Sequence, residues 1–551
     1  MRILLTAVNA KYVHTSLSVR ALARFVNTPE VTFAEFTINE REEDVLRAVY
    51  GFHADAVMFS CYIWNIEYIV RVASSLKKVS PDTRIVFGGP EVSYNSMYYM
   101  RKYGFLDAVI RGEGEETLRA VTEAGFDTDG VTFRREDGRI IENRDRAPVC
   151  DLDSLPFPYT ETELDEYKDK LLYYESSRGC PFRCSYCLSS TVRNVRFKNI
   201  DKAKRELALF AAHGARVVKL TDRTFNADRK RAAELIGFLA SLEGDTQFHF
   251  EIAADIIDDE LISILKNAPK GRFLLEIGVQ STNEKTLEAI DRRTDLDRIY
   301  DTVRALSGYV HMHLDLIAGL PYEDLDSFVR SFDDVMALRP DVLQLGFLKL
   351  LHGTKMRSEA GKHGYIFTDT PPYEVLGNAY ISYEELLRLK RVEHVLDRYY
   401  NSGAFSNAMG YLLDMADSPY HLFEKIASHF EAEGCFDIGL SRDRLYSLLA
   451  EIFGCGLFKD LLKFDYFMNS NNPSTPKWAN EPYDKTLLKE RFGMIEAAME
   501  RGELMEYRGM PLKEIIKHVQ AERFSYDVLG DMERRDNVIL FDKKYRRAIR
   551  V

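Results

Sequence analysis

Ser177-Arg178-Gly179-Cys180-Pro181-Phe182-Arg183-Cys184-Ser185-Tyr186-Cys187 sets three cysteines at CxxxCxxC spacing on one short loop. Three thiolates spaced this way converge on a single soft metal centre. A structural zinc wants four ligands, and no Cys or His stands nearby in the sequence to complete the set. A cubane iron–sulfur cluster held through three thiolates leaves one iron open, which suits this donor count. Cys180, Cys184 and Cys187 are therefore the expected ligands of a [4Fe-4S] cluster. The chain has 7 cysteines, an odd number with four scattered members, which is no disulfide framework. A reducing compartment would keep them as thiols. Cys61, Cys435 and Cys455 read as small buried hydrophobes.

Working outward from the loop, short apolar runs alternate with helical patterns on both sides. Downstream, strands are expected at 172–177, 216–221, 247–252, 273–279, 311–317 and 342–348. Six βα units fit a partial (β/α)6 barrel, and equally a second doubly wound domain. Upstream, strands are expected at 2–8, 31–38, 56–63, 84–89 and 107–112, each followed by a helix. Near-continuous apolar strands spaced by helices mean a parallel, doubly wound, Rossmann-like sheet covered on both faces. Residues 126–145 read as a hairpin turning at Asp137-Gly138. Beyond about 370 the pattern becomes amphipathic and helical, as at 382–400 and 441–454. The expected organisation is an α/β chain with an N-terminal Rossmann-like domain over 1–150 and a linker over 151–170. A second α/β domain over 171–370 and a mainly helical one over 371–551 complete it.

With 551 residues, 46% hydrophobic and 12% aromatic, the chain can bury several cores, which excludes a disordered or collagenous protein. The net charge of −12 argues against bulk DNA or an anionic membrane as partner. Residues 1–8 are too short an apolar run for a secretion signal, and no stretch of about 18 apolar residues occurs, so a cytoplasmic protein is expected. The basic stretch from Lys543 to Arg550 reads as a solvated tail. His311 and His313 alternate on one strand and share a face, a pair without a third metal ligand.

In an open α/β sheet, ligands sit outside the carboxyl ends of the strands. In the N-terminal domain those ends offer Asn9, Tyr12 and His14, then Ser60, Tyr62 and Trp64. The fourth and fifth strands contribute Gly88-Gly89-Pro90-Glu91 and Arg111-Gly112-Glu113-Gly114-Glu115. Small residues let backbone approach a bulky ligand, and Tyr62 with Trp64 supplies apolar cover.

CxxxCxxC at the carboxyl end of the first strand of an incomplete barrel resembles the radical S-adenosylmethionine (SAM) superfamily. The resemblance implies that the open iron chelates SAM and that one electron cleaves it to a 5′-deoxyadenosyl radical. It assigns Tyr186 to the adenine edge, Thr221 and Asp222 to the SAM amino group, and Glu251 to the ribose or amine. Glu276 and Gln280 fall in the pocket, and Gly319 with Pro321 in the turn beside adenine. A five-stranded sheet placed before the cluster loop, with GGPE and RGEGE at its strand ends, resembles the cobalamin-binding domain of cobalamin-dependent radical SAM enzymes. The Asp-x-His-x-x-Gly pattern of many cobalamin proteins is absent around His14. Methylthiotransferases share the layout but need three N-terminal cysteines; here only Cys61 and Cys150 precede the motif. The resemblance thus implies a cluster, SAM and cobalamin, and an electron donor such as flavodoxin or ferredoxin. The implied reaction is methylation of an unactivated carbon, with rearrangement, cyclisation or oxidation without methyl transfer as the alternative. No substrate motif is evident in 371–551.

Overall fold

The apolar runs at either end of the first sixty residues become strands buried on both faces, which is why they lack an alternating pattern. The computed structural model describes residues 1–192, 194–470, 475–479 and 485–551. It divides into two compact units, Met1–Leu386 and Leu387–Val551.

In the first unit, β1 (Ile3–Asn9), β2 (Val31–Thr37), β3 (Ala56–Ser60), β4 (Arg84–Gly88) and β5 (Ala108–Ile110) are parallel. The hairpin β6 (Val131–Arg134) and β7 (Ile140–Glu142) adds antiparallel to β5, giving the order β2-β1-β3-β4-β5-β6-β7. The expected hairpin therefore belongs to this sheet, which has seven strands rather than five. Strand order reverses between β2 and β3 around β1, the doubly wound signature. One apolar cluster, including Leu4, Val57 and Phe87, covers one face, and a second, including Leu5, Val86 and Leu118, covers the other. The linker is tied down at Arg20, which is 2% exposed and bonds Glu35 at 2.6 Å and Glu163 at 2.8 Å.

A second sheet follows. β8 (Leu171–Tyr174) leads, through the short pair β9 (Ser177–Arg178) and β10 (Arg196–Phe197), into β11 (Val217–Leu220). β12 (Gln247–Ile252), β13 (Phe273–Gln280), β14 (His311–Ala318) and β15 (Val342–Phe347) complete it. These six strands pair in parallel in chain order, from β8 at one edge to β15 at the other. A doubly wound sheet would reverse its order, whereas successive crossovers advancing one way are the winding of an incomplete barrel. The alternative left open by the sequence is thereby closed. Along β12 to β14, buried residues such as Phe248, Phe250, Leu275 and Leu314 alternate with polar ones. The registers put Lys219, His249, Glu251, Glu276, His313 and Asp315 together on the polar face. β16 (Ile366–Phe367) and β17 (Val375–Gly377) form a small antiparallel pair late in this unit.

The second unit is mainly helical, with helices that include Pro419–Ala432, Arg442–Phe453 and Gly456–Asn469. It also carries a three-stranded antiparallel sheet, β18 (Val519–Tyr526), β19 (Arg534–Asp542) and β20 (Arg547–Arg550), which the helical pattern did not indicate. The basic stretch expected as a solvated tail is therefore part of a strand: Arg547 bonds Glu506 at 2.5 Å and Asp542 at 3.1 Å, and Arg550 pairs with Asp527. Cys61 and Cys435 are buried as expected, but Cys455 is exposed. Among the described residues no helix is long and apolar enough to cross a membrane.

Candidate functional site

The cysteine loop hangs between β9 and β10, where Arg178 lies opposite Arg196 and Ser177 opposite Phe197. It begins at Gly179, whose φ of +99° favours glycine and where a Cβ would press on the Asn194 carbonyl oxygen. Cys180 Sγ lies 3.4 Å from Thr224 Oγ1, and Arg292 Nη1 donates to Cys184 Sγ at 3.6 Å. Burial pushes the Cys180 thiol up against the opposing bonds from Thr224 and the Phe182 backbone, and the neighbouring Cys187 and Cys184 push it further. Sulfurs that accept hydrogen bonds on one closed loop fit cluster ligation, where such bonds tune the iron centre. Among the described residues no three His, Cys, Asp or Glu side chains surround a point that a single ion could fill. A cubane is wider than an ion and is held by thiolates standing further apart. Tyr186 is raised by its own burial, with Cys184 and Cys187 beside it.

The expected SAM residues line the strand ends beyond this loop, with differing commitments. Thr221 Oγ1 contacts the Tyr174 carbonyl at 3.4 Å. Asp222 is buried, and its carboxylate accepts from Ser176 N at 2.7 Å, Ser176 Oγ at 2.5 Å and Ser177 N at 2.9 Å. It thus braces the strand leading into the cysteines. Burial raises its pKa despite those donors. Glu251 is likewise raised by burial, while Arg223 and Lys219 pull the other way. Glu276 behaves oppositely: burial is outweighed by hydrogen bonds from His249 (2.9 Å) and Lys219 (2.7 Å), which hold it at about 2. Gln280 has φ +73° at a β-bulge, and its amide folds back over Gly278, where a Cβ would collide with it. The Gly319 carbonyl accepts from Tyr365 Oη at 3.0 Å and Asn378 Nδ2 at 2.9 Å, and Pro321 is buried beside it.

Residues that sequence reasoning missed stand among these. Asp315 has a buried Oδ1 without a partner and is pushed well up by burial with Glu276 and Glu251 facing it. Arg292, in the turn after the short helix Glu284–Ala289 that follows β13, reaches both Cys184 and the Gly278 carbonyl. Its place in a run of charges, Asp291-Arg292-Arg293, gave no signal. His311 and His313 do share a face, with Nε2 atoms 3.0 Å apart.

At the N-terminal sheet, Asn9 Nδ2 donates to the His14 carbonyl and to Glu35. His14 lies 3.4 Å from the Tyr173 hydroxyl, and burial, then Lys11 and Lys219, lower its pKa. Tyr12 is 73% exposed beneath the Lys170 ammonium. Ser60 Oγ meets Ser18 Oγ at 3.0 Å, and Tyr62 stacks on Trp64 at 4.3 Å, with Trp64 half exposed. The Gly88 carbonyl takes Cys61 N–H, and a Cβ at Gly89 would strike the Cys61 carbonyl oxygen at 2.7 Å. Pro90 is exposed. Gly112 (φ +71°) has open space where a Cβ would stand. Gly114 packs on Leu22. The side chains of Glu91 and Glu113 are bonded within the protein. Glu91 accepts from two tyrosines, and Glu113 from Arg178 and Arg196.

A doubly wound sheet is followed by an incomplete barrel whose first strand leads into the three-cysteine loop. The chain matches the B12 binding domain over residues 3–122 and the Radical SAM superfamily over 174–335. It also matches a protein family of unknown function, DUF4080, over 361–541. The chain thus carries a B12-binding domain followed by a radical SAM domain, and is similar to the cobalamin-dependent radical SAM proteins. It is 24% identical over 339 residues to an uncharacterized methyltransferase of Pyrococcus horikoshii, covering 59% of this chain and 73% of that one. It is 27% identical over 298 residues to the cobalamin-dependent radical SAM methyltransferase TokK of Streptomyces tokunonensis, covering 50% of this chain and 44% of TokK. It thus spans less than half of TokK. The solved structure of the cobalamin-dependent SAM radical enzyme OxsB, with aqua-cobalamin and SAM bound, aligns with a TM-score of 0.58 at 14% identity, over 91% of this chain and 81% of that one.

Proposed function

We propose that the protein is a cobalamin-dependent radical SAM methyltransferase that places a methyl group on an unactivated carbon. The observation that carries this reading is the direct bonding of Glu113, in the strand-end loop of the B12-binding sheet, to the arginines that close the cysteine loop. Methyl transfer of this kind needs both cofactor loops at one place, and the bonding of Glu113 to Arg178 and Arg196 supports that arrangement. When bound, the cluster and cobalamin supply one-electron cleavage of SAM and carriage of a methyl group. Cys180, Cys184 and Cys187 hold the cluster, while Asp222 braces the strand feeding them. Glu276 stays ionised and, paired with Lys219, gives the barrel face fixed charge to orient a polar ligand, while Glu251 and Asp315, both raised by burial, add polar groups beside it. A one-electron protein donor such as flavodoxin or ferredoxin completes the cycle.

The test is anaerobic reconstitution followed by turnover with reductant, SAM and extracts of candidate small molecules. Methyl transfer predicts a product heavier by one CH2 and two SAM consumed per product. Bound cobalamin with 5′-deoxyadenosine release but no mass gain would move the assignment to rearrangement, cyclisation or oxidation. Failure to take up cobalamin would overturn it.

A further inference from the structure

Across the ribbon that closes the cysteine loop, Arg178 and Arg196 stand directly opposite each other. Like charges in that position repel. A single carboxylate from the other sheet holds both. Glu113 Oε1 accepts from Arg196 Nη2 at 2.5 Å, and its Oε2 accepts from Arg178 Nη1 and Arg196 Nη1, each at 3.1 Å. The Val149 N–H adds a fourth bond at 2.8 Å, and Arg196 also donates to the Val149 carbonyl. All three charged side chains are largely withdrawn from water, at 20%, 14% and 16% exposure, so the attraction is weakly screened. Glu115 and Glu175 also bind Arg178, at 2.5 and 2.8 Å, but Glu113 is the carboxylate shared by both arginines.

The backbone of Glu113 lies at the carboxyl edge of β5, between Gly112 and Gly114, where the B12-binding sheet receives its ligand. A ligand seated there fixes the loop that carries Glu113, and Glu113 fixes the neck of the cysteine loop.

We propose that Glu113 is a positioning residue that couples the two cofactor sites, so that cluster assembly tightens cobalamin binding and bound cobalamin protects the cluster by the same factor. The inference rests on the assignment of the two loops to cobalamin and cluster.

The experiment uses the full chain under anaerobic conditions. The dissociation constant for hydroxocobalamin is measured on reconstituted protein and on protein stripped of iron by a chelator. Loss of iron to chelator is timed with and without cobalamin. The wild type should bind hydroxocobalamin at least about fivefold more tightly with the cluster in place, and iron should be lost to chelator more slowly when cobalamin is bound. In Glu113→Gln, which keeps shape but loses charge, the two dissociation constants should agree within about twofold, whatever their absolute value. Glu113→Asp should recover part of the ratio. Arg196→Lys, which keeps the charge and loses the two-toothed grip, should lower it without the burial cost of altering Glu113. A purely structural role would weaken both sites and leave the ratio intact, and that result would overturn the inference. Equal affinities in the wild type would overturn it alone, whereas no hydroxocobalamin uptake in either form would remove the cofactor assignment beneath it.

Discussion

The hydroxyls of Tyr99 and Tyr373, 274 positions apart in the chain, both donate to the same Glu91 oxygen at 2.6 Å. Glu91 is 4% exposed, and burial raises its pKa while the two tyrosines and Arg357 work against that rise. The carboxylate of the GGPE turn therefore ties the end of β4 to the segment before β17. Arg357 lies over the Tyr373 ring at 4.6 Å and His352 meets its edge at 5.0 Å, so the tie sits in a packed cage.

Removing either hydroxyl should destabilise the first unit. Tyr99→Phe and Tyr373→Phe each delete a buried bond to a carboxylate, worth about 1.5–3 kcal/mol. The double variant should cost less than the sum, because one oxygen serves both donors. Denaturant titration of the three variants checks this. Additive losses below about 0.5 kcal/mol would mean the cage holds without the bonds.

Gly179→Ala should cut iron uptake severely on reconstitution. Its φ of +99° disfavours a side chain, and the Asn194 carbonyl occupies the space a Cβ needs. Gly112→Ala is the control: φ is +71°, yet the space is open, so only backbone strain of about 1–2 kcal/mol applies. Iron and acid-labile sulfide per chain distinguish the two, and equal iron content would deny the steric reading of Gly179.

Acid stability should depend on Glu276. Its folded pKa of about 2 lies below the ordinary 4.5, so its contribution is complete above about pH 4.5 and is lost as pH falls towards 2. The full difference corresponds to at most about 3 kcal/mol. Glu276→Gln should flatten the stability curve in that window and leave the curve above pH 5 parallel to the wild type.

Glu323 has the opposite sign. Burial lifts it to about 7, although Ser281 donates at 2.5 Å and Ser331 at 3.1 Å, and its Oε2 has no partner. An acid raised on folding stabilises fully below its unfolded pKa of about 4.5, and that stabilisation drains away as pH climbs to 7. Glu323→Gln should remove this slope between pH 5 and 7.5, as thermal melts across that range would report. An unchanged slope would assign it elsewhere.

The strands were readable because each obeys a local rule. Phe248-His249-Phe250-Glu251-Ile252 alternates strictly, and the buried and polar faces follow from it. The three cysteines were readable for the same reason, being close in sequence. What escaped was pairing over distance: nothing near Glu113 indicates that Arg178, 65 positions on, and Arg196, 83 positions on, will share its carboxylate. Arg292 escaped because only the short helix Glu284–Ala289 and the turn after it bring it back to Cys184. The β18–β20 sheet escaped because Lys543 to Arg550 looks like a solvated tail until Asp542, Glu506 and Asp527 are seen to meet its arginines.

The ribbon of Ser177–Arg178 against Arg196–Phe197 has a consequence for the order of assembly. Its pairing ties off the cysteine loop at the base, so the conformational search of a floppy tether is largely spent before iron arrives. Metal delivery then meets a preshaped purse rather than an open thread, and little of the binding energy of the cluster is diverted to gathering its own ligands.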